Sequence, residues 1–116
     1  MDEKMQAAVA KAKECHQICL GTLEYCKNKG GDHAEEEHLK LLEDCAKICE
    51  TSADFMERGS EHHAKICAVC ADICDKCAES CEMMEDDEQM QKCAQACREC
   101  AEMCRDMTSL MDRITS

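Results

Sequence analysis

Apolar and sulfur-bearing side chains recur every three or four residues through most of this chain, and Glu, Asp, Lys and Gln fill the positions between them. That spacing is the seam of an α-helix, because residues three and four apart lie on one face. Three turn signals interrupt it. "NKGGD" at 28–32 offers Gly30 or Gly31 to end a helix, then Asp32 as an N-cap with Glu35 three residues on. "RGS" at 58–60 offers Gly59 to stop a helix and Ser60 to start the next. "MEDDEQM" at 84–90 has Asp86 followed by Gln89 at capping-box spacing. Helices are therefore expected over roughly 3–28, 33–57, 61–84 and 88–113, each about 25 residues or ~37 Å long. Long helices with short connections pack as antiparallel neighbours. The expected fold is all-α: one domain over 1–116, an up-down-up-down four-helix bundle.

A heptad register with the seam at a and d sharpens this expectation. The first helix presents Met5, Ala8, Ala12, Cys15, Cys19, Thr22 and Cys26; the second, His38, Leu42, Cys45, Cys49, Ser52 and Met56. The third presents His63, Cys67, Cys70, Cys74, Cys77, Cys81 and Met84; the fourth, Met90, Cys93, Cys97, Cys100, Cys104, Met107 and Met111. Every cysteine falls on this one register. Beside it, position g carries bulkier residues such as Ile18, Tyr25, Leu41, Ile48, Phe55, Ile66, Ile73, Met103 and Leu110. Position e is largely alanine: Ala46, Ala53, Ala71, Ala78, Ala94 and Ala101. A purely structural bundle would put leucine on the axis. Here the thiols point to the axis, and the aliphatics are left to pack helix against helix or subunit against subunit.

Composition changes the picture because the aliphatic core is thin. Leu, Ile, Val and Phe number 14 of 116 residues, about 12%, below the roughly 20% of ordinary globular chains. Cysteine also numbers 14, a density that marks a disulfide or metal scaffold. The net charge of −12 speaks against nucleic acid and against anionic membranes, both of which call for a basic face. No apolar run follows the first charges, so no signal peptide is expected, and no stretch has the length of a membrane span. The expected compartment is the cytoplasm, where dense cysteine is more often metal-binding than disulfide-bonded.

Three uses of the thiols fit poorly. Fourteen cysteines on one seam, with alanine freely used elsewhere, exceed what packing asks of a small hydrophobe. Bridging two cysteines on one helix face constrains almost nothing, although bridges between helices stay open on oxidation. No cysteine stands apart with a dedicated His and acid, so no nucleophile can be named, and the chain is not expected to be an enzyme. Metal remains. Zinc at an all-thiolate site leaves a charge of −2, and burying several such sites with no lysine or arginine beside them is costly. Cu(I) is soft and monovalent and favours thiolate and thioether. If thiolates bridge successive Cu(I) ions, one ion per cysteine fills the axis at no net charge. Six pairs at i and i+4 place two sulfurs on consecutive turns: 15/19, 45/49, 70/74, 77/81, 93/97 and 100/104. A zinc or general thiophilic-metal buffer and a thiol redox buffer are the other readings.

Repeated CxxxC pairs along four helices, with a collar of Met and His, make the chain resemble the bacterial copper storage proteins, a Cys-rich four-helix-bundle family. The resemblance implies a bundle whose cysteine-lined bore holds many Cu(I) ions, assembled as a homo-oligomer, generally a tetramer. The first two helices depart from the pattern, with Ala8, Ala12, Thr22, Leu42 and Ser52 at seam positions. Cys26 has no cysteine four residues away. Antiparallel packing brings Met5, Met56, His63, Met107 and Met111 to one end, where thioether and imidazole suit a mouth for incoming Cu(I). Cys26, His38, Met84 and Met90 approach the other end.

Overall fold

The computed structural model describes the backbone of residues 2–115 and the side chains of residues 2–108. Asp2 opens α1 (Glu3–Lys29), its carboxylate accepting the Met5 amide at 2.7 Å. Gly30 closes α1 in a left-handed conformation (φ 73°), its N–H bonded to the Cys26 carbonyl at 3.1 Å. A 3-10 turn (Gly31–Ala34) leads into α2 (Glu36–Glu57). The second helix therefore begins later than the spacing predicts. Asp32 sits inside the 3-10 turn, and Glu35 holds the N-cap position with no side-chain hydrogen bond.

α2 ends in a Schellman motif. Ser60 N–H reaches the Phe55 carbonyl at 3.0 Å and Gly59 N–H the Met56 carbonyl at 3.1 Å, with Gly59 at φ 66°. A side chain at that φ would be strained, so glycine there sets the reversal. α3 (His63–Glu82) starts three residues beyond Ser60, whose hydroxyl accepts the His62 amide at 3.1 Å. α4 (Glu88–Thr115) is capped by Asp87 and not by Asp86: Asp87 Oδ1 accepts the Gln89 amide at 3.0 Å and the Met90 amide at 3.2 Å. Gln89 does not close a capping box; its side chain crosses to Thr22 Oγ1 at 2.9 Å.

α1 packs on α2, α2 on α3, α3 on α4 and α4 back on α1, while the diagonal α2 and α4 meet through cysteine side chains on the axis. That ring is the antiparallel four-helix bundle, 47 × 21 × 21 Å. The e-position alanines named above are all buried and let the helices approach, while Ile18, Tyr25, Ile48 and Ile73 are half-buried at the seams. Outside, Arg98 grips Glu82 (2.7 Å) and Asp75 (3.3 Å) between α3 and α4, and Arg105 also reaches Asp75. Lys11 ties α1 to Glu99 of α4 at 2.8 Å. Such exposed pairs add little stability each; the order of the bundle comes from the buried seam. Among the described residues, no helix is long and apolar enough to cross a membrane.

Candidate metal centre

All fourteen cysteines are buried, none more than 1% exposed, and all are free thiols. The heptad explains their placement: each helix turns its a/d face inward, so four rows of sulfur meet on one axis. Neighbouring sulfurs lie at contact distance. Cys15 is 4.0 Å from Cys19 and 3.8 Å from Cys97; Cys45 is 3.6 Å from Cys74 and 3.7 Å from Cys97. Cys49 touches Cys70 (3.9 Å), Cys74 (3.7 Å) and Cys100 (3.8 Å).

The sulfurs converge into overlapping groups, each with all its ligand atoms within 4.8 Å of one another: Cys15/Cys49/Cys74/Cys100, Cys15/Cys19/Cys45/Cys97, Cys19/Cys77/Cys93/Cys97 and Cys70/Cys100/Cys104. Tetrahedral zinc at about 2.3 Å from each thiolate would set the sulfurs about 3.8 Å apart, so distance alone does not choose the metal. Sharing does. Cys15, Cys19, Cys97 and Cys100 each belong to two groups. Closed structural zinc sites, each with its own four ligands, cannot fill overlapping sets together. Thiolates that bridge successive low-coordinate ions can.

The charge environment agrees. Among the described residues the buried polar side chains are Thr22, His38 and Ser52. Among these residues no lysine or arginine reaches the axis to offset surplus thiolate charge, and no buried side-chain nitrogen or oxygen lacks a partner. The thiols hydrogen-bond to one another along the axis. Cys74 and Cys97 are held far above the ordinary thiol range, chiefly by hydrogen bonding to Cys100 and Cys15 respectively, with burial adding to it. Cys15 and Cys70 are pushed down, chiefly by hydrogen bonding with Cys100. A soft cation would displace these protons and take their place.

Three cysteines stand outside these groups. Cys67 meets the Ser52 hydroxyl at 3.4 Å. Cys81 lies beside Cys77 and Cys93. Cys26 meets His38 Nε2 at 3.4 Å and Met90 Sδ at 3.6 Å. His38 is 4% exposed, and burial lowers its pKa and keeps it neutral. A Nδ1–H donated to Ser80 Oγ (2.7 Å) leaves the Nε2 lone pair facing the Cys26 thiol. Burial pushes that thiol up to about 11. Thus Cys26, His38 and Met90 form a mixed sulfur–nitrogen–sulfur cluster at the end of the axis. The seam register had put His38 and Met90 on the axis near this end; the pairing with Cys26 depends on the 3-10 turn, and the support from Ser80 had no sequence signal.

At the opposite end Met56 and Met107 are buried and Met5 and His63 half-buried. His63 turns Nδ1 onto the Ser60 carbonyl at 2.8 Å, within its own turn. The side chain of Met111 lies outside the described residues, as does that of Leu110.

A column of fourteen buried, free thiols converging inside four helices defines a class of protein built to hold soft metal ions. The family profile described as Csp, copper storage protein, matches residues 1–109, and the chain belongs to that family. Among solved structures it is similar to a protein of Nitrosospira multiformis, with 44% identity, a TM-score of 0.88, and coverage of 95% of this chain and 99% of that one. The Cu(I)-bound copper storage protein BsCsp3 superposes with a TM-score of 0.85 at 32% identity, over 91% of this chain and 99% of that one. Apo copper storage protein 3 from Bacillus subtilis does so with a TM-score of 0.79 at 32% identity, over 89% and 97%. Among curated proteins none matches the chain.

Proposed function

We propose that this chain, as a single four-helix unit, stores Cu(I) on its thiol column at about one ion per cysteine, on the order of 14. Copper storage by thiolates is the function of the family, and the protein is not an enzyme. The observation that carries the copper number is the sharing of Cys15, Cys19, Cys97 and Cys100 between neighbouring groups. Bridging makes ions and thiolates equal in number, and their charges cancel inside a core where the described residues offer no lysine or arginine. The ligands are the fourteen cysteines, with His38 and Met90 completing the Cys26 position. Met5, Met56, His63, Met107 and Met111 form the mouth at the far end, where ligands weaker than paired thiolates pass Cu(I) inward.

Two further readings go with this. Reduced thiols in such number suit the cytoplasm. Exposed Leu20 (40%) and Val69 (48%), beside the half-buried g residues, suit burial against other copies in a homo-oligomer, a tetramer by family resemblance. No nucleic-acid or membrane partner is proposed for so acidic a chain. Anaerobic titration of the reduced protein with Cu(I), and separately with Zn(II), tests the storage reading. Uptake near one Cu(I) per thiol is expected. Saturation at three or four ions with Zn(II) preferred would replace copper by a zinc buffer.

A further inference from the structure

One carboxylate fastens the Cys26 end of the bundle. Besides capping α4 through Oδ1, Asp87 accepts through Oδ2 from Tyr25 Oη at 2.7 Å and from His33 Nε2 at 2.9 Å. Asp87 and His33 have side chains only 12% and 17% exposed. The Tyr25 and His33 rings meet edge to face, with centroids 6.0 Å apart. The three segments so joined carry the three members of the end cluster. Tyr25 precedes Cys26 on α1, His33 lies in the turn that leads to His38, and Asp87 bonds the amide of Met90 itself. Burial would raise the Asp87 carboxyl, but hydrogen bonds from Tyr25, His33 and the two amides outweigh it and hold it at about 2, so it stays an ionised acceptor.

We propose that Asp87 is a positioning residue: with Tyr25 and His33 it latches the α1, 3-10 and α4 segments together, sets Met90 and His38 against Cys26, and makes this end of the thiol column a closed end. The inference rests on the reading of the column as the copper store. Ions then travel by the Met5/Met56 mouth, because the latch shuts the other door. Rigid charge-assisted bonds suit this role better than apolar contact, since they fix angle as well as proximity.

The test uses reduced, metal-free full-length protein, so that it stands apart from the copper titration. Parent, Tyr25→Phe and Asp87→Ala are treated with iodoacetamide, and alkylation is followed at each cysteine by peptide mass mapping. Tyr25→Phe removes one bond and leaves the α4 cap intact. The latch predicts about tenfold faster alkylation of Cys26 in Tyr25→Phe and more in Asp87→Ala, with Cys15 and Cys49 unchanged in the former. An unchanged Cys26 rate in both variants would overturn the proposal. So would an equal rise at Cys15, Cys49 and Cys26 in Tyr25→Phe, which would make Asp87 a contributor to overall stability and not a fastener of one end. A copper titration that fails while Cys26 responds as expected would refute the storage reading and leave the latch standing.

Discussion

Ser52 is a gap in the sulfur column, and filling it gives a sharp test of how the column works. It is fully buried on the seam of α2, one turn beyond Cys49, with its hydroxyl 3.4 Å from Cys67 Sγ. Thiols elsewhere on the axis contact each other at 3.6–4.0 Å. A sulfur reaches further from Cβ than a hydroxyl oxygen, so Ser52→Cys brings a thiol into van der Waals contact with Cys67, and Cys67 in turn lies beside Cys104 of the Cys70/Cys100/Cys104 group. The change in volume is small, and its cost to stability should stay under about 1.5 kcal/mol. If every thiol on the axis takes part in bridging, capacity rises by one, from on the order of 14 to about 15 Cu(I). Anaerobic loading followed by native mass spectrometry counts the ions directly. A variant that folds and loads no more than the parent, while its added thiol still reacts in the loaded protein, would refute uniform bridging and confine copper to the convergent groups.

The remaining predictions probe the packing, the protons and the mouth. Leu42→Ala removes a fully buried side chain that donates nothing to a metal; it should cost about 2–5 kcal/mol in urea unfolding of the metal-free protein and leave copper capacity unchanged. Metal-free protein should lose stability in alkali. Cys26 titrates at about 11 in the fold against about 8.5 unfolded, so its contribution is complete below the unfolded value and lost as pH rises through the folded one. Thermal melts across that range should fall for apo-protein, and a flat profile would count against the buried thiol. Met56→Leu with Met107→Leu should slow Cu(I) loading at constant capacity in stopped-flow mixing, whereas Met90→Leu should not; the reverse result would put the mouth at the Cys26 end.

The seam was legible because its signal is long and redundant. Fourteen cysteines repeat one register over four helices, so an error of a residue or two at any turn leaves every thiol on the axis. The turns offer no such redundancy. In "EDDE" two adjacent aspartates can each cap a helix, and Asp87 takes the role because Tyr25 and His33 converge on it, which depends on tertiary packing. Likewise Asp32 has cap chemistry but falls within the 3-10 turn set up by Gly30 and Gly31. The same turn carries His38 to Cys26. The register places His38 on the inner face, but only the path of the loop decides which thiol it meets.

That no lysine or arginine among the described residues reaches the axis has a consequence for how the protein is seen from outside. Each Cu(I) that binds displaces one thiol proton, a monovalent cation for a monovalent cation. The net charge of −12 is then the same in the empty, half-filled and full protein, and the acidic surface carries no trace of the load. A partner that must distinguish a full store from an empty one cannot do so by long-range electrostatics. It has to probe the ends of the bundle, where the metal itself, or the side chains that guard it, come within reach.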